Sequence, residues 1–205
     1  MGITRDISSL YISGDYKPVA LENRTQQLTF AVYLIDDYTG SLPRGRIDLK
    51  ISRRDRRPVR NQSGYYCFLN LEDGQYTLEI NSGFYLKEKE TIKTGTLNKK
   101  APVKEVRLKP APSYPFPSYA TLVRGVLKKG TEPVEDAEVT VKSTESTGVI
   151  FRTRTDPDGE FVVYIKSPGV KGISIELQRD GDSVTEEVDL KEGTTVSLGV
   201  IKLLG

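Results

Sequence analysis

The sequence has no histidine and no tryptophan, one cysteine and one methionine among its 205 residues. The missing imidazole excludes Ser-His-Asp and Cys-His catalysis, histidine-ligated zinc and pH switching near neutrality. A single cysteine, Cys67, permits no internal disulfide. Small secreted domains often depend on such bridges, so the expectation is an intracellular origin. Cys67 sits in the strand-like run Tyr65-Tyr66-Cys67-Phe68-Leu69 and reads as a small packed hydrophobe, not a nucleophile. No apolar run approaches the roughly 18 residues of a membrane span. The opening residues Met1 to Asp6 lead into no apolar segment of a secretory signal, so a cytoplasmic location is expected, or the cell surface if a leader has been trimmed.

What the chain does contain is turn residues and alternation. Its 18 Gly and 11 Pro point to many turns rather than long helices. Leu28, Phe30, Val32 and Leu34 alternate with Thr29, Ala31 and Tyr33. Ile47, Leu49 and Ile51, then Tyr76, Leu78 and Ile80, repeat the pattern. Later, Ala137, Val139 and Val141, then Phe161, Val163 and Ile165, then Ile173, Ile175 and Leu177 do the same, and Val188, Val196, Leu198 and Val200 supply further strands. Period-two patterning predicts strands with one face in a core and one in water. The segment from Lys109 to Ser118 carries four prolines, which favour an extended, stiff spacer. The predicted organisation is a first β-sandwich over residues 1–108, a linker at 109–118 and a second sandwich over 119–205. Residues 1–27 would form an N-terminal extension, with Leu10-Tyr11-Ile12 as a candidate edge strand.

The halves resemble each other. Asn61-Gln62-Ser63-Gly64-Tyr65-Tyr66 aligns with Asp156-Pro157-Asp158-Gly159-Glu160-Phe161, each an Asx residue, a glycine for positive φ and an aromatic entering the next strand. Tyr38 to Pro43 and Lys129 to Val134 hold similar places upstream. Two copies of one topology are expected. At these residues the chain resembles the carboxypeptidase regulatory-like, or transthyretin-like, family. The second half carries the fuller pattern, in Val123-Arg124-Gly125-Val126, Pro133 to Val139 and Thr155 to Phe161; the first resembles it through Pro43 to Leu49, Asn61 to Phe68 and Leu71 to Tyr76. The resemblance implies an all-β fold of two Greek-key, transthyretin-like or Ig-like, antiparallel β-sandwich domains in tandem. It also implies that Tyr76 is a corner tyrosine whose hydroxyl ties back to nearby backbone. Its motifs are turn and packing residues, so it is nearly silent on activity. The zinc ligands of metallocarboxypeptidases and the histidines of transthyretin-like hydrolases have no counterpart here.

Candidate sites are few. Arg53, Arg54, Arg56, Arg57 and Arg60 form the densest charge cluster, on a predicted exposed loop. Arginine forks suit an anionic partner surface; a solvated loop that prevents edge pairing is the simpler account. Without interleaved aromatics the loop does not suit nucleic acid. Residues 1–108 hold 18 Lys/Arg against 13 Asp/Glu, a net +5, and residues 119–205 hold 11 against 15, a net −4. Such ends would help copies or partners dock head to tail. Asp156 to Gly159 lacks the later ligands of a calcium loop and reads as a turn. Tyr114, Phe116 and Tyr119, in and beside the linker, would wedge the two domains together or offer a docking strip to a partner.

No catalytic, cofactor or metal residues are assigned, and no enzyme is expected; a hydrolase working through carboxylates is the weakest reading. The leading expectation is a structural or protein-interaction component that joins other subunits in a larger assembly, by analogy a phage-tail-like contractile particle. The alternative is a free-standing carbohydrate- or peptide-binding adhesion module at the cell surface, which the missing tryptophan makes less suited to sugars. A small-molecule substrate is not expected.

Overall fold

Alternation decides which side chains form the cores. In β5 (Gln75–Ser82), Tyr76, Leu78 and Ile80 are buried while Thr77 and Glu79 are half-exposed. In β13 (Gly172–Arg179), Ile173, Ile175 and Leu177 are fully enclosed. The computed structural model describes residues 25–52, 56–144 and 148–203. The candidate edge strand at Leu10-Tyr11-Ile12 and the arginines Arg53 and Arg54 lie outside the described residues.

The first sandwich packs two sheets. One has β1 (Leu28–Asp36), β3 (Val59–Arg60), β4 (Tyr66–Leu69) and β7 (Val103–Leu108) in the order β3-β4-β1-β7. The other orders β2 (Ile47–Ile51), β5 and β6 (Glu88–Lys93) as β2-β5-β6. Phe30, Leu34, Leu78, Ile80, Ile92 and Leu108 fill the space between them. The second sandwich repeats the plan. β8 (Thr121–Lys129), β12 (Glu160–Ile165) and β15 (Thr195–Lys202) form a sheet ordered β12-β8-β15, with the short β9 (Glu132–Pro133) paired to β8. β10 (Glu138–Ser143), β11 (Val149–Arg154), β13 and β14 (Asp182–Asp189) form the facing sheet, β11-β10-β13-β14. Among the described residues all pairings are antiparallel except one parallel seam per sandwich, β1 with β7 and β8 with β15, where the first and last strands run side by side.

The aligned turns have one hydrogen-bond plan. The Asn61 side chain accepts the Tyr65 N–H at 2.9 Å and its carbonyl accepts the Gly64 N–H at 3.1 Å. Asp156 does the same for Glu160 at 2.9 Å and Gly159 at 2.9 Å. Gly64 and Gly159 both have positive φ, 87° and 74°. The Tyr76 hydroxyl donates to the Glu72 carbonyl at 2.6 Å, the contact of a corner tyrosine.

Besides β9, which has no counterpart among the described residues of the first sandwich, the copies differ at one further strand. β11 has six residues and pairs with β10, whereas β3, in the same place along the chain, has two and pairs with β4 in the opposite sheet. Pro58, immediately before β3, has no N–H to give a ladder, which keeps this strand short. The proline-rich segment also departs from expectation. Expected as an extended, stiff spacer, it is held against the first sandwich over 109–114: the Ala111 N–H bonds to the Phe84 carbonyl, the Leu86 N–H bonds to the Lys109 carbonyl, and Tyr114 lies in the first core. Apolar contact and two backbone bonds outweigh the freedom of an exposed spacer.

Candidate functional site

Strand β1 ends in Asp36, a carboxyl group with no solvent exposure. A buried carboxyl is costly unless hydrogen bonds replace its hydration. Here one oxygen accepts the backbone N–H groups of Tyr38 at 2.8 Å and Thr39 at 3.2 Å. The other accepts the hydroxyls of Tyr114 at 2.6 Å and Tyr85 at 3.0 Å. Tyr85 also accepts the Arg44 N–H at 2.9 Å. Four donors from three stretches of chain thus converge on one side chain, tying the start of the interdomain segment to the end of β1. Burial, reinforced by the Asp36 hydrogen bond, pushes the Tyr85 hydroxyl up to about 12 and raises Tyr114 as well.

The neighbouring residue reaches the other sandwich. Asp37 accepts the Tyr164 hydroxyl at 2.7 Å through its side chain and the Lys166 ammonium at 2.8 Å through its carbonyl. Burial foremost, then the Asp37 contact, raises the Tyr164 hydroxyl above its ordinary value. Around these bonds the rings of Tyr38, Tyr114, Phe116 and Tyr164 pack together, with Tyr38 at 5.0 Å from Phe116 and 5.1 Å from Tyr164, both edge-on. Such arrangements contribute about 0.5–1.5 kcal/mol per pair beyond the area they bury. Ala120, Leu122, Val162 and Tyr164 form a small apolar cluster against Tyr38 and Phe116, separate from the two main cores.

Two arginines of the second sandwich flank this contact. Arg124 donates to the Pro112 carbonyl at 2.6 Å, its guanidinium 5.9 Å from the Phe116 ring. Arg154 meets Glu88 of the first sandwich at 3.2 Å and Asp136 of its own at 3.1 Å, and also bonds to the Lys87 carbonyl. Beside it opens a cleft of about 580 Å³ with walls from both sandwiches, among them Tyr85, Leu86, Lys87, Ser113, Asp136 and Arg154.

The structure brings together two of the sequence-predicted residues, Tyr114 and Phe116, at 4.6 Å between ring centroids. Tyr119 stands apart and is 76% exposed. Arg56 and Arg57 are exposed on the loop before β3, with Arg57 3.7 Å from Asp48, and the Arg60 guanidinium lies 5.4 Å from the centre of the Tyr66 ring. None of these arginines belongs to the joint. Sequence reasoning missed Asp36, Asp37, Tyr38, Tyr85, Tyr164 and Arg154. Asp156, which could pass for a calcium ligand, spends its side chain on the N–H groups of Asp158 and Glu160.

No family model matches the sequence, and no curated protein matches it. Among solved structures, the chain is similar to the Bacillus anthracis TIE protein, with 14% identity over 85% of this chain and 33% of that one, and a TM-score of 0.32. It is similar also to GBS52, the minor pilin of Streptococcus agalactiae, with 12% identity over 71% of this chain and 66% of that one, at TM-score 0.30. The shaft pilin SpaA from Lactobacillus rhamnosus GG is 11% identical over 86% of this chain and 97% of that one, at TM-score 0.31. The chain spans 33% of the TIE protein and 66% of the minor pilin. Likenesses this slight assign neither a family nor a function.

Proposed function

We propose that the chain is a non-catalytic structural part: two sandwiches locked at a fixed angle, which hold a set spacing within a larger protein structure. The observation that supports this reading is the joint, in which Asp36 and Asp37 accept three tyrosine hydroxyls drawn from both sides of the contact. Domains joined only by a tether are expected to move; a joint with buried hydrogen bonds and interlocked rings suits a part whose geometry is its work. The carboxypeptidase regulatory-like resemblance, carried by turns and packing, fits such a module and supplies no chemistry. The larger assembly expected from the sequence calls for a rigid spacer; the alternative expectation, a free-standing binding module at the cell surface, does not. The test is the native mass in a gentle lysate of the source cells. Recovery in a large assembly is expected; elution at the mass of the single chain overturns the reading.

Peptide binding is the second reading, and the cleft between the sandwiches favours it. Its walls mix cationic Lys87 and Arg154 with anionic Glu88 and Asp136 beside apolar Leu86 and Ala111. This lining suits an extended peptide better than a sugar, which usually wants a planar aromatic platform.

A further inference from the structure

Among the eight residues of β14, Asp182, Glu186, Glu187 and Asp189 are acidic and none is basic. Among the described residues β14 is an outer strand, bonded to β13 along one side and to no strand along the other. Its free N–H and C=O groups face outward, as a template on which another chain can pair. Asp182 is held by Lys129 at 2.8 Å. Among the described residues, Glu186, Glu187 and Asp189 have no cation within ion-pair distance.

The opposite chemistry lies on the first sandwich. Arg56, Arg57 and Arg60 follow one another along the exposed margin that leads into β3, itself an outer strand, and Val59 among them is 60% exposed. Arg44 and Arg46 are exposed just before β2. Residues 56–60 span about 13 Å when extended and β14 about 24 Å, so the acidic edge is long enough to receive the whole arginine margin.

We infer that a second copy of this chain docks here, laying the arginine margin of its first sandwich along the acidic β14 edge of its neighbour. The assignment rests on the reading of the chain as a structural part and names its partner. Like charges placed opposite each other are destabilising, so β14 does not pair with β14 of another copy, and the arginine margin does not meet its own image. The heterologous contact is the complementary one, and both of its faces lie on every copy. Such a contact repeats from copy to copy until a ring closes or a chain of copies extends. Guanidinium forks match carboxylates two at a time, which gives the contact register as well as attraction.

Sedimentation velocity of the full chain tests this. Concentration-dependent association is expected at low ionic strength and its loss in about 1 M salt, where the screening length falls to about 3 Å. Glu186→Lys/Glu187→Lys and Arg56→Glu/Arg57→Glu should each be monomeric alone. Mixed in equal amounts they should associate again, because the arginine margin of the first meets the acidic edge of the second and the two reversed faces are themselves of opposite charge; the association also shows that both variants fold. Parent-like association of either double variant overturns the inference, as does a mixture that stays monomeric while both components keep native circular dichroism. A parent chain that stays monomeric at low salt overturns it too, yet leaves the structural reading standing, because that reading is judged by native mass in the source cells.

Discussion

Gly64 and Gly159 occupy the same step of the same turn, yet a methyl group at each would meet different neighbours. At Gly159 it would lie 2.5 Å from the Leu127 carbonyl oxygen and 3.1 Å from the Val134 nitrogen, both fixed backbone atoms. At Gly64 it would lie 2.7 Å from a terminal methyl of Leu42, an exposed side chain that can rotate away. Both alanines carry the left-handed penalty of about 1–2 kcal/mol. Gly64→Ala should cost little beyond that, whereas Gly159→Ala must also displace backbone and should cost about 3 kcal/mol or more. Urea denaturation of the two variants checks this, and equal losses would contradict it. The turn itself is legible in the sequence because an Asx residue and a glycine at fixed spacing have one economical conformation. The difference in cost is not legible, since it depends on the strand that crosses behind each glycine.

At the scale of elements, strict alternation identifies β2, β5, β10 and β13, which bury one face each. It misleads for β12, where Phe161, Val162, Val163 and Tyr164 are all buried. A continuous apolar run marks a strand covered on both faces. Reading only Phe161, Val163 and Ile165 as inward overlooks the face that carries Tyr164 into the joint. Tyr114 and Phe116 were legible, with Tyr119, as a wedge or a docking strip, because aromatics are out of place in a spacer; Tyr119 stands exposed. Asp36 was not, because an aspartate at a strand end usually reads as a solvated turn. The joint also has a pH signature. Tyr85, Tyr114 and Tyr164 all have raised hydroxyls. A raised value in the folded state means the tyrosines contribute their full stability below their ordinary pKa of 10.0 and lose it as pH climbs through the folded value, about 12 for Tyr85. Absorbance of tyrosinate, followed with near-ultraviolet circular dichroism as pH is raised past 10, checks this. A late group should then ionise together with loss of tertiary signal. Ionisation of all eleven tyrosines near 10 without a structural change would contradict the buried joint.

The molecule as a whole is two similar sandwiches whose surfaces differ in charge. The basic first half and acidic second half are visible in the sequence, but which edges carry the charge depends on sheet order, and that order placed β14 and the arginine margin on outer strands. The rigidity proposed for the pair rests on contacts far apart in sequence, Asp37 with Tyr164 and Glu88 with Arg154, which no local pattern announces. The most direct test is a distance measurement between spin labels at Lys99→Cys in the first sandwich and Lys191→Cys in the second, with Cys67→Ser removing the native thiol. The account predicts one narrow distance distribution for the native joint and a broad one after Tyr38→Ala, Arg154→Ala and Tyr164→Ala are combined. A distribution already broad with the joint intact would contradict it.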